Sequence, residues 1–211
     1  MFCFFCSLFI LIFSLMSCSN VVYDVSDVSA TMIFDYESEN ESPRCRLAVF
    51  VQTESEAART QDIIVSSQNY PYKWIIDNPI LLNNSADEWA GYTNLQTQNG
   101  EAMDSGRYLI EYKSLSGETS QAQFVISYPQ KLKECGAIDF PDILAGEKYT
   151  EKIAVYNANG DMIFFGKKDA SVEDAKSVKS RFPDADIMRL CYADNARRYA
   201  CFMPSVELGE K

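Results

Sequence analysis

Acidic pairs, cysteines and a few arginine–tyrosine groups are the residues of this chain whose types and spacing could do chemistry. Two neighbouring carboxylates can divide acid and base work when their surroundings push their pKa values apart. The close pairs are Asp24 with Asp27, Glu173 with Asp174, and Asp184 with Asp186. Glu173 and Asp174 open an expected helix, where the positive end of the helix dipole accounts for them. Asp184 and Asp186 flank the start of a strand and read as solvated turn residues. None of the pairs follows the pattern of an EF-hand calcium loop. No Gly-x-Gly-x-x-Gly or Walker sequence occurs, and Asn159-Gly160-Asp161 reads as a hairpin turn. Histidine is absent, which excludes His-dependent triads, imidazole bases and His metal ligands. The reading is therefore of no catalytic residue, no cofactor and no metal site.

The cysteines divide in two. Four of the seven, Cys45, Cys135, Cys191 and Cys201, follow Cys18 at spacings that match no zinc site. Cys191 and Cys201 fall on the two arms of one expected hairpin, where a cross-strand disulfide and a pair of buried free thiols are both open. The remaining cysteines lie at or before position 18. Residues 1–17 carry no charge and are almost entirely Phe, Leu, Ile, Met, Cys and Ser, the composition of an export signal. As a helix, Phe2 to Met16 would rise about 22 Å, short of the ~30 Å hydrocarbon core of a bilayer.

Leu15-Met16-Ser17-Cys18 then resembles the lipobox of bacterial lipoproteins: Leu three places before the Cys, and a small residue directly before it. Met16 is bulkier than usual there, as in the looser lipoboxes of spirochaetes, and the run lacks a preceding Lys or Arg. The resemblance implies cleavage before Cys18 and a diacylglycerol thioether on it, with its acyl chains in a lipid bilayer. Ser19, in place of the Asp that retains enterobacterial lipoproteins in the inner membrane, favours the outer membrane. The net charge of -11 lies wholly beyond residue 17. So acidic a chain does not attract nucleic acid by general electrostatics, nor an anionic lipid surface.

Residues 27–129 read as short strands between polar turns. Strands are expected over 31–36, 45–51, 72–76, 89–97, 107–112 and 122–128, from their β-branched and aromatic content. Asp104-Ser105-Gly106-Arg107-Tyr108 resembles the Asp-x-Gly-x-Tyr motif that opens strand F of immunoglobulin-like sandwiches. In that fold the tyrosine hydroxyl bonds back to the backbone at the E–F corner. The resemblance implies Cys45 on strand B, Ile110 in place of the second core Cys, and Trp74 as the buried tryptophan of strand C.

Residues 130–148 read as a linker or partly packed connector. Residues 149–205 read as a small α+β unit of order ββαββ. Its hairpins turn at Asn157–Asp161 and Asp194-Asn195, and its helix starts at Ser171-Val172-Glu173-Asp174 and stops at Pro183. Residues 18–26 are then a tether and 206–211 a tail. Two groups could serve recognition: Arg189, Arg197 and Arg198 with Tyr192 and Tyr199, and Tyr70, Tyr72 and Trp74 with Trp89 and Tyr92. Sheet alternation and core packing account for both without a ligand. The whole reads as a mostly β, lipid-anchored envelope protein that binds a protein or cell-wall partner. The alternatives are an envelope enzyme with a carboxylate or Cys site between its units, and an accessory subunit of an envelope assembly.

Overall fold

A computed structural model describes residues 25–53, 57–83 and 87–209. The expected signal run, Cys18 and most of the tether therefore lie outside the described residues. Alternation builds the strands. In β2 (Arg44–Thr53), Cys45, Leu47, Val49 and Val51 turn inward, between the outward Arg46, Ala48, Phe50 and Gln52, the period of two that gives a strand one apolar face. Met32 and Phe34 do the same in β1 (Val25–Asp35), and Tyr108, Ile110 and Tyr112 in β7 (Gly106–Ser114).

The other strands are β3 (Thr60–Ser67), β4 (Lys73–Ile76), β5 (Ile80–Asn83), β6 (Glu88–Leu95), β8 (Thr119–Ile126), β9 (Tyr149–Asn157), β10 (Met162–Lys167), β11 (Ala185–Asp194), β12 (Tyr199–Phe202) and β13 (Val206–Glu207). They form two sheets. A nine-stranded sheet runs β10-β9-β11-β12-β1-β2-β6-β5, with β13 beside β11, and a four-stranded sheet runs β4-β3-β7-β8. Met32, Phe34, Leu47 and Val49 from the first share one core with Ile63, Val65, Ile110 and Tyr112 from the second. The protein is mostly β, as the sequence predicts. β3 and β5 go beyond the strands expected.

Residues 130–148 are a packed connector. They include a helical turn, α1 (Phe140–Ile143), and bury Leu132, Cys135, Phe140 and Leu144 in the main core. The Phe140 ring meets Tyr36 edge-on at 5.4 Å and stacks on Tyr192 at 5.1 Å.

The C-terminal strands and helix follow the expected order, with three corrections. The helix α2 (Ala175–Arg181) begins later than Ser171, because Asp174 is its cap. Asp174 Oδ1 accepts from the Ser177 amide at 2.8 Å while Ser177 Oγ accepts from the Asp174 amide at 3.0 Å, satisfying donors that a helix start leaves free. The sheet is also not separate. β12 pairs in parallel with β1, Met32 against Tyr199 through Asp35 against Phe202. Every residue of β12 is buried: β11 and β1 flank its edges, Tyr199 and Cys201 face the main core, and Ala200 and Phe202 pack on the outer face. Finally, the ends are strand: β1 starts inside the expected tether, and β13 pairs with β11 inside the expected tail, with Leu208 buried beyond it. No helix among the described residues is long and apolar enough to cross a membrane.

Candidate functional site

Register decides the cysteines. Tyr192 pairs with Cys201 and Cys191 with Phe202, so the two sulfurs sit on opposite faces of the sheet. Cys201 enters the main core, and Cys191 packs on the outer face with Ile33, Ala154 and Phe202. A disulfide needs Cβ atoms about 4 Å apart on one face, so of the two states the sequence leaves open for Cys191 and Cys201 the geometry fits the free thiols. Cys45, Cys135, Cys191 and Cys201 are buried free thiols. Burial pushes Cys45 and Cys191 up to about 12 and holds Cys201 well above the ordinary thiol value. Cys135 is also raised by burial, its Sγ 3.1 Å from the Tyr36 hydroxyl. These thiols stay protonated and are poor nucleophiles.

The arginine–tyrosine group divides by the same rule. Tyr199 turns into the main core, as does the half-buried Tyr192, whereas Arg189 turns to the outer face. Its guanidinium donates to Met203 O at 2.8 Å, Phe202 O at 3.1 Å, Tyr36 O at 3.2 Å and Asp35 Oδ1 at 3.1 Å. Asp35 Oδ2 accepts from Arg46 Nε at 2.8 Å. One carboxylate thus ties β1 to both β2 and β11. Arg198 donates to Asp194 at 2.9 and 3.0 Å and to Glu147 at 3.4 Å. Burial raises the Asp194 carboxyl, but the Arg198 bonds outweigh it and leave Asp194 below the ordinary carboxylate range. Arg197 has a φ of 60° in the turn between β11 and β12. Neither Asp35 nor Asp194 stands out along the chain, because their partners come from other strands or from the turn itself.

The aromatic group is also split. Tyr70, Tyr72 and Trp74 form a row with centroids 6.0 and 5.5 Å apart. Trp74 lies on β4, at the edge of the small sheet, with Nε1 donating to Gln96 O at 2.8 Å. It is not the buried tryptophan of a central strand, because β3 fills that position. Trp89 and Tyr92 belong to β6 in the other sheet.

Among the acidic pairs, Asp24 lies outside the described residues. Asp27 Oδ1 accepts from the Val28 amide at 2.8 Å, Asp174 caps α2, and Asp184 and Asp186 are exposed. The structure brings Asp27 together with Asp87 instead, along a cleft of about 950 Å³ beside the first half of β1. Phe50, Trp89, Val125 and Arg197 also line it. Asp87 Oδ1 accepts from Gln52 Nε2 at 2.6 Å, so both acids hold amide donors. The lining is mixed: Asp27, Asp87, Arg197 and Arg198 stand among Phe50, Trp89 and Val125. Among the described residues, no three His, Cys, Asp or Glu side chains converge as a metal site requires. No protein-family model matches the chain, and no curated protein aligns with it significantly.

Proposed function

We propose that this chain is a lipid-anchored bacterial envelope protein whose body is an immunoglobulin-like interaction module. The observation that carries the anchor is Leu15-Met16-Ser17-Cys18 following an uncharged apolar run. The module is supported by the strand order. β1-β2-β6-β5 facing β4-β3-β7-β8 corresponds to the A-B-E-D and C′-C-F-G sheets of that fold. The Tyr108 hydroxyl donates to Asp104 O at 3.0 Å, the corner bond that the Asp-x-Gly-x-Tyr motif implies. Cys45 on β2 and Ile110 on β7 are buried in one core without a disulfide. The C-terminal ββαββ elements extend the edge that β1 would otherwise leave open. The cleft beside β1, with Phe50 and Trp89 in its lining, suits a protein or wall component. A net charge of -11 argues against nucleic acid.

Metabolic labelling with a palmitate analogue tests the reading. The wild-type chain takes up label, Cys18→Ala does not, and the mature mass corresponds to a lipid-modified chain beginning at residue 18. An unlabelled chain whose mass retains Met1 overturns it.

A further inference from the structure

One corner of the outer face of the nine-stranded sheet, around β10, β9 and β11, carries a local excess of positive charge. Against a net charge of -11, the pairing of β10, β9, β11 and β2 turns Lys167, Lys152, Arg189 and Arg46 to this face. Asp35 is already shared by the two arginines. Lys152 and Lys167 stand directly opposite each other in the ladder, an arrangement that destabilises a sheet. Neither has a carboxylate within ion-pair distance among the described residues. Lys152 Nζ instead lies 4.8 Å from the centre of the Phe165 ring.

The same edge is apolar. On β10, Met162 is 49 % exposed, Ile163 38 % and Phe165 43 %. Phe165 stacks on Phe202 at 6.0 Å, which lays its ring from the β10 edge across the outer face. A second strand is a poor occupant, because the ladder shifts register between Met162 and Phe164 and Lys167 sits on the edge. A bulge and an edge lysine both oppose strand addition.

We propose that β10 and the adjoining outer face rest on an anionic bilayer surface. Met162, Ile163 and Phe165 enter the interfacial region, and phosphate groups lie between Lys152 and Lys167. Apolar side chains flanked by lysines are the chemistry that holds a protein in the headgroup layer. The contact orients the body and does not depend on acylation, so it stands or falls separately from the anchor at Cys18.

The test uses the mature chain from residue 18 carrying Cys18→Ala, whose whole described core lies within residues 25–209. Its sedimentation is measured with phosphatidylcholine vesicles, with and without phosphatidylglycerol. Binding requires phosphatidylglycerol and weakens with salt. Lys152→Gln with Lys167→Gln lowers the partition coefficient about 25-fold, fivefold for each lysine. Phe165→Ser lowers it as well. Lys176→Gln with Lys179→Gln, on α2 over the opposite face, removes the same charge and leaves binding unchanged. Three results overturn the proposal: no dependence on phosphatidylglycerol, equal loss from both lysine pairs, or a dimer in solution that Phe165→Ser dissolves.

Discussion

Two buried tyrosines of similar burial are expected to respond oppositely to the loss of one oxygen. Tyr108→Phe removes the bond to Asp104 O and lowers the unfolding free energy by about 1 kcal/mol. The Tyr199 hydroxyl is buried with no hydrogen-bond partner among the described residues. Tyr199→Phe therefore raises stability by about 1 kcal/mol. Urea unfolding of the two variants checks both signs. The thiols supply a pH dependence. Burial pushes Cys45 and Cys191 up to about 12 in the folded chain, against about 8.5 in an unfolded one. The folded state then holds protons that the unfolded state releases. Stability is unaffected below the unfolded value and falls as pH rises from about 8.5 towards 12. A urea midpoint unchanged between about pH 8 and about pH 10 would count against buried thiols. Native-state alkylation should likewise be slow at all four thiols and rapid in denaturant.

At the scale of elements, two positions depend on local geometry. A Cβ at Gly91 would run into the Val49 carbonyl and the Phe50 backbone on β2. Gly91→Ala is thus expected to destabilise by about 2 kcal/mol or more. Asp174→Ala removes the cap of α2 and costs about 1 kcal/mol. Thermal unfolding ranks the two, and an Asp174 effect larger than that of Gly91 would contradict the geometry. The β9–β10 turn was legible in the chain because Asn157 and Gly160 do the work locally. Asn157 Oδ1 accepts from the amides of Asn159 and Asp161, and Gly160 has a φ of 82°. β3 was not legible. Only Ile63 and Val65 of that strand are buried, and its polar ends resemble a turn until β7 and β4 are set on either side.

The molecule as a whole is joined by the parallel seam of β1 and β12. Tyr199 and Cys201 complete the core that Met32 and Phe34 begin. A chain cut after residue 148 is expected not to reach the native core, although the cut falls at the boundary the sequence suggests. The intact body should unfold in one transition, with aromatic and peptide circular dichroism changing together. Two separated transitions would show that the halves fold independently.

What the sequence determined by itself is everything carried by near neighbours. It established the lack of histidine, the strand alternation, the tight turns, the helix near 175, the Asp-x-Gly-x-Tyr corner and the charge. Tertiary structure decided which strands adjoin and which way each side chain turns. Cys191 and Cys201 look like partners along the chain, yet a one-residue offset in register puts them on opposite faces. Arg189 finds Asp35 across 154 positions. The physical reason is that strand pairing is non-local, and with a side-chain period of two a single step of register exchanges the faces.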